Sequence, residues 1–199
     1  MTVADVMKEI EKDTVFYDES GGGVTFSGGE PFMQPNFLQT LLKLCKDKKI
    51  HTTVETCGLT DPEALLSSSA YVDLYLYDLK IIDTQKHEKL TGMPNKRILE
   101  NLRQLSDCHD RIIIRFPVIP RVNDDGQDVL QMGEFVSSIR NAEEIDILPY
   151  HKLGIDKYRR LGRKYKLMET CPPSDEDMSK IAEKLKSFGL RVKIGGRNK

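Results

Sequence analysis

Two periodicities take turns along the chain. Val24-Thr25-Phe26-Ser27 is short, β-rich and bounded by glycines, which predicts a strand. Between Asn36 and Lys49 the apolar residues at 37, 38, 41, 42 and 45 fall on one helix face. His51 to Glu55 is β-branched and alternating, and the Asp61-Pro62 pair opens a helix reaching Ser69. Val72 to Lys80 alternates as a strand does. Asn95 to Asp107 returns to helical spacing, with apolar residues at 98, 99, 102 and 105. Arg111 to Ile119 reads as a buried strand closed by Pro120, Asp128 to Ser138 as a helix, and Glu144 to Tyr150 as another strand. Ser174-x-x-Asp177 is a capping box for a helix that stops at Gly189, and Leu190 to Ile194 is a last strand. At the start, Thr2-x-x-Asp5 caps a helix whose apolar face is Val3, Val6, Met7 and Ile10.

Strands that alternate with helices imply an α/β fold, a parallel sheet joined by crossover helices. Five or six strands are too few for a closed eight-stranded barrel. An open doubly wound sheet and a partial barrel both remain, and both place ligands at the C-terminal ends of the strands. A βα fold that opens on a helix is expected to lack its first strand.

The 199 residues fit a single domain spanning 1–199. No apolar run approaches the ~18–20 residues that span a bilayer, and the acidic, amphipathic start does not resemble a secretory signal. A net charge of -1 argues against a general nucleic-acid binder. Cys45, Cys57, Cys108 and Cys171 show no zinc-type or redox-type spacing, so reduced thiols in a cytoplasmic protein are expected. The charge is uneven. Residues 1–150 carry 16 Lys and Arg against 25 Asp and Glu, whereas residues 151–199 carry 14 against 6. The stretch from His151 to Lys166 is the densest in positive charge, either a solvated face or a docking surface for an acidic partner or an anionic ligand.

Polar residues gather where the strands end: Ser27-Gly28-Gly29-Glu30-Pro31, Glu55-Thr56-Cys57-Gly58, Asp78-Leu79-Lys80, Arg115 and His151. Gly21-Gly22-Gly23 precedes a strand and lacks the Gly-Lys ending of a phosphate loop. Asp78 and Lys80 are two apart on a strand and share a face, as an ion pair or as ligand contacts. Arg115 among isoleucines requires a carboxylate or an anionic ligand group. Gly28 and Gly29 allow close backbone approach. Glu30, Glu55 and Asp78 offer carboxylates to an ammonium, to ribose hydroxyls or to a cation, while Lys80 and Arg115 suit a carboxylate. Together they suit a zwitterion carrying a sugar.

GGGVTFSGGEP, VETCG, YLYDLK, IIIRFPVIP and ILPYHKLGIDKYRRLGRKY, in this order, resemble successive segments of the radical S-adenosylmethionine activating enzymes of glycyl-radical enzymes, those of the pyruvate formate-lyase type above all. The likeness runs from about residue 2 to 195. It implies a partial (β/α)6 barrel, here lacking the first strand and its cluster loop. It implies that Gly28, Gly29 and Glu30 hold the methionine amino group of the cofactor. It further implies that Glu55, Thr56, Leu76 and Asp78 form a monovalent-cation site, and that Lys80, Arg115 and His151 are cofactor-contacting positions. Glu55 replaces an aspartate, Cys57 stands where asparagine is frequent, and Arg121 replaces a glycine, which predicts a different local turn. The family's [4Fe-4S] cluster is bound by C-x3-C-x2-C, a spacing missing from this sequence. The cluster is therefore expected only in a longer protein, and this chain alone is expected not to activate its partner. That partner would be a glycyl-radical enzyme resembling pyruvate formate-lyase, with a flavodoxin or ferredoxin as electron donor. Two other readings remain: a cluster-free module binding a nucleoside or a partner, and a barrel lyase using Lys80 as a Schiff base.

Overall fold

The computed structural model describes residues 1–162, 164–165 and 167–195. Six strands form one parallel sheet: β1 (Gly23–Phe26), β2 (His51–Thr56), β3 (Leu74–Asp78), β4 (Ile112–Val118), β5 (Glu144–Pro149) and β6 (Arg191–Ile194). They lie side by side in chain order, 1-2-3-4-5-6. A doubly wound sheet needs a point where that order reverses. Its absence among the described strands settles the alternative in favour of the partial barrel. Consecutive crossovers of one hand put the helices on one face and leave the other concave and open.

The helices are α1 (Val3–Lys12), α2 (Thr14–Ser20), α3 (Pro35–Asp47), α4 (Pro62–Ser68), α5 (Thr84–Thr91), α6 (Lys96–Cys108), α7 (Gly126–Ser137), α8 (Ile155–Arg160) and α9 (Asp175–Lys186). Both capping boxes form, Thr2 with Asp5 on α1 and Ser174 with Asp177 on α9. Strand alternation divides the residues cleanly. Val54, Tyr75, Tyr77, Ile112, Ile114, Phe116, Val118, Ile145 and Ile147 join the core beneath the helices. The interleaved set, Glu55, Asp78, Arg115, Glu144 and Asp146 among it, faces the concavity. A smaller cluster of Met7, Ile10, Leu41, Cys45 and Ile50 seats α1 on α3. No helix among the described residues is long and apolar enough to cross a membrane.

Helices α2, α5 and α8 were not expected. α5 lacks an apolar stripe and buries only His87. Its local signals are its ends: Asp83 accepts from the Lys86 amide at 2.6 Å, and Gly92 closes it with a left-handed φ of 84°.

The turn after β4 carries a non-glycine residue in the left-handed region. Arg121 adopts φ 65°, a conformation that glycine takes without steric cost. Its amide donates to Asp124 Oδ1 at 2.7 Å, and Asn123 closes the loop behind it. Arg121→Gly should change stability by less than about 1 kcal/mol, since relief of the left-handed strain offsets the added unfolded-state entropy. Arg121→Val should cost more than about 1 kcal/mol. Denaturant unfolding of the two variants checks this.

Candidate active site

Past β1 the chain turns through Gly28 at φ 129°. A Cβ placed on Gly28 or Gly29 would meet nothing within 4 Å, so this backbone borders open space rather than packed protein. Glu30 then caps a single 3-10 turn (Pro31–Met33), accepting from the Phe32 amide at 3.2 Å. The same carboxylate reaches the end of β2. It accepts from Thr56 Oγ1 at 2.8 Å, from the Cys57 amide at 2.9 Å and from the Cys57 thiol at 3.1 Å. Burial pushes the Cys57 thiol up, which keeps it a donor. The Glu30 side chain thus fastens one loop to the next instead of standing free on the rim beside Glu55 and Asp78.

The loop after β2 is equally constrained. Gly58 has φ 70°, and a Cβ there would lie 1.6 Å from the Tyr77 hydroxyl. That hydroxyl donates to the Ile98 carbonyl on α6 at 2.7 Å. From the same helix Asn101 donates to the carbonyls of Gly58 and Thr60 at 2.8 and 3.0 Å.

Across the concave face runs a chain of charges. Ser27 donates to Glu55 Oε2 at 2.9 Å, and the other Glu55 oxygen pairs with Arg115 Nη1. Arg115 Nε lies 4.0 Å from Asp78 Oδ1, and Lys80 Nζ lies 3.8 Å from Asp78 Oδ2. Arg115 and Asp78 face each other in the β3–β4 register. Burial pushes the Asp78 carboxyl up; Lys80 and Arg115 pull it back, while Glu55 and Glu30 add to the rise.

Glu55 and Leu76 are register partners on β2 and β3, and Asp78 follows two residues on. Thr56 is buried toward the helices, its hydroxyl donating to Glu30 and accepting from Gly58. A cation could therefore be met by the Glu55 and Asp78 side chains, but only by the main chain of Thr56 and Leu76. Among the described residues no group of three or more His, Cys, Asp or Glu could hold a metal ion. His151 is exposed beyond β5, its Nδ1 accepting from the Leu153 amide at 3.4 Å.

Sequence reading passed over two residues. Asn123 is buried, donating to the Lys80 and Pro117 carbonyls at 2.7 and 2.8 Å and accepting from the Ile119 amide at 2.7 Å. It holds the ends of β3 and β4 together, and an asparagine just past a strand was its only signal. Asp146 occupies a concave-face position on β5, legible in the alternation of its strand.

Removing the Glu30 carboxylate leaves the Thr56 hydroxyl and the Cys57 amide without their acceptor. Glu30→Ala should cost roughly 2–3 kcal/mol and speed amide exchange at residues 56–58, and Glu30→Gln should recover part of both. Denaturant unfolding with hydrogen exchange would show it; unchanged exchange at the β2 end would remove the fastening role.

A family model described as the Radical SAM superfamily matches residues 1–136. The chain is 38% identical over 196 residues to the choline trimethylamine-lyase activating enzyme of Oleidesulfovibrio alaskensis, covering 97% of this chain and 63% of that one. It is 41% identical over 198 residues to the trans-4-hydroxy-L-proline dehydratase activating enzyme of Clostridioides difficile, covering 98% and 65%. Against the pyruvate formate-lyase-activating enzyme of Staphylococcus epidermidis the identity is 41% over 200 residues, with 98% and 79% covered. The chain thus spans less than two thirds of the first two relatives. A solved domain of the pyruvate-formate lyase-activating enzyme of Bacteroides vulgatus superimposes with a TM-score of 0.74 at 34% identity, covering 88% of this chain and 99% of that one. A radical SAM methyltransferase from Sphaerobacter thermophilus shares the fold, with a TM-score of 0.72 at 15% identity, over 98% of this chain and 57% of that one. On the family match and on identities near 40% over almost its whole length, this chain belongs to the radical SAM superfamily and, within it, to the activating-enzyme family of these relatives.

Proposed function

We propose that this chain is the cofactor-binding barrel of an activating enzyme that uses S-adenosylmethionine to take a hydrogen atom from a glycine of a partner enzyme. The observation that carries this reading is open glycine backbone beside a chain of alternating charges on one concave face. Gly28 and Gly29 border open space after β1, and Glu55, Arg115, Asp78 and Lys80 follow as linked ion pairs across β2, β4 and the end of β3. A zwitterionic amino-acid group needs partners of both signs. Gly28 and Gly29 would present carbonyls to its ammonium, and Arg115 would take its carboxylate through the planar fork. When bound, S-adenosylmethionine supplies the carbon radical that receives the hydrogen atom; the side chains hold and orient it. Lys80 lies 3.8 Å from Asp78 and is 42% exposed, an ion-pairing arrangement rather than the desolvated pocket of an amine nucleophile. The described residues do not fit a [4Fe-4S] cluster, because Cys45 is buried, Cys57 half-buried and Cys108 and Cys171 exposed on separate elements. No step is assigned to it.

Titration of S-adenosylmethionine into the chain tests the reading. Arg115→Ala should weaken binding about tenfold or more, and Arg115→Lys, which keeps the charge but loses the fork, should fall between. Affinity unchanged in Arg115→Ala would sink the assignment.

The partner we infer is a glycyl-radical enzyme of the pyruvate formate-lyase kind, with a flavodoxin or ferredoxin as electron donor, in a cytoplasmic setting. The relatives named for three different partner enzymes are 38–41% identical to this chain, so identity does not choose among them. The basic stretch supplies a docking surface. Lys152, Arg159, Arg160 and Lys164 are exposed there, with Leu153 82% and Leu161 59% exposed among them. Replacing Arg159 and Arg160 by Glu in the full-length protein should weaken partner binding about tenfold and reduce its salt dependence. Equal affinity would leave the stretch a solvated face.

A further inference from the structure

Four strands contribute to one row on the concave face. Asp78 pairs in register with Arg115, Arg115 with Asp146, and Asp146 with Lys193. The signs alternate along that row, yet its members do not share their charges equally. Arg115 turns toward Glu55 and Asp78. Lys193 turns toward Glu144, with Nζ 2.6 Å from Oε1. Asp146 lies between two cations that are both engaged elsewhere. It is only 7% exposed, and its Oδ1 is buried with no hydrogen-bond partner. A buried acceptor without a donor is destabilising, so the fold carries this group at a loss.

We propose that Asp146 is the acceptor for the nucleoside end of the ligand, taking a hydrogen bond from a ribose hydroxyl or an adenine N–H. This deepens the reading above and depends on it. The amino-acid end is assigned to the β1–β4 rim. Asp146 is one strand further along, about 4.8 Å beyond Arg115, on the side away from the glycines. A molecule anchored by its carboxylate at Arg115 next meets Asp146. An acidic side chain is the usual receptor for ribose hydroxyls in nucleotide-binding sheets. The electrostatics agree. Burial and Glu144 push the Asp146 carboxyl up, against the pull of Lys193 and Arg115. A carboxyl raised by folding stabilises the fold fully at acid pH, and that contribution is lost as pH rises through the folded value.

The experiment titrates adenosine, adenine, L-methionine and S-adenosylmethionine into the chain and its Asp146→Ala, Asp146→Asn and Arg115→Ala variants, with unfolding temperatures at acid and neutral pH. Asp146→Ala should weaken adenosine about tenfold or more and leave methionine unchanged, with Asp146→Asn intermediate. A loss for adenosine without a loss for adenine assigns the donor to the ribose; a loss for both assigns it to the base. Asp146→Asn should also raise the unfolding temperature at neutral pH and not at acid pH, which reports the buried charge independently of any ligand and shows that the variant folds. Adenosine affinity untouched in Asp146→Ala, with S-adenosylmethionine still dependent on Arg115, overturns the Asp146 assignment and leaves the proposed function standing. Failure of Arg115→Ala to weaken S-adenosylmethionine overturns that function as well.

Discussion

A guanidinium on the inner face of a parallel sheet must be met by carboxylates from neighbouring strands, and that requirement organises this structure. Arg115 retains 23% of its side-chain exposure and reaches Glu55, two strands away, and Asp78, on the adjacent strand. Neither acid could serve it if the register slipped by one residue, because every inward side chain would then turn to the helix layer. The β2–β3–β4 register and the charged rim therefore specify each other. The apolar half of the alternation, Tyr75, Tyr77, Ile114 and Phe116, fixes that register from the opposite face.

Much of this was readable before any coordinates. Alternation, β-rich composition and bounding turn residues together located all six strands, and helical spacing and end caps located the long helices, because each has one buried face. Short helices without an apolar stripe, α5 above all, escaped because their only signals are a cap at each end. Ser27, Glu55, Asp78 and Lys80 were legible as polar positions at or near strand ends and Arg115 as a charge within a strand, which the structure places at the middle of β4 on the same face. The role of Glu30 was not. Its four donors come from its own turn and from a strand end 26 residues further on, and no local pattern announces a contact across loops. Asp146 was visible as a polar residue in an alternating strand. That it has no partner depends on where Arg115 and Lys193 lean, which only packing decides.

Two kinds of constraint thus coexist at the rim. The loops after β1 and β2 are tied by Glu30, Tyr77 and Asn101, and Gly58 tolerates no side chain against Tyr77. The backbone at Gly28 and Gly29 is open. A held scaffold beside an unfilled space is what a ligand with fixed chemistry requires, since little ordering remains to be done on binding.

The sequential strand order also bears on how the protein is made. Each strand adds to the edge of those synthesised before it, so no formed pair has to open to admit a later one. Glu55 and Asp78 leave the ribosome ahead of Arg115, and synthesis proceeds at roughly 5–20 residues per second. The carboxylates are therefore already present when the guanidinium arrives, and the nascent chain never holds that cation without its counter-charges.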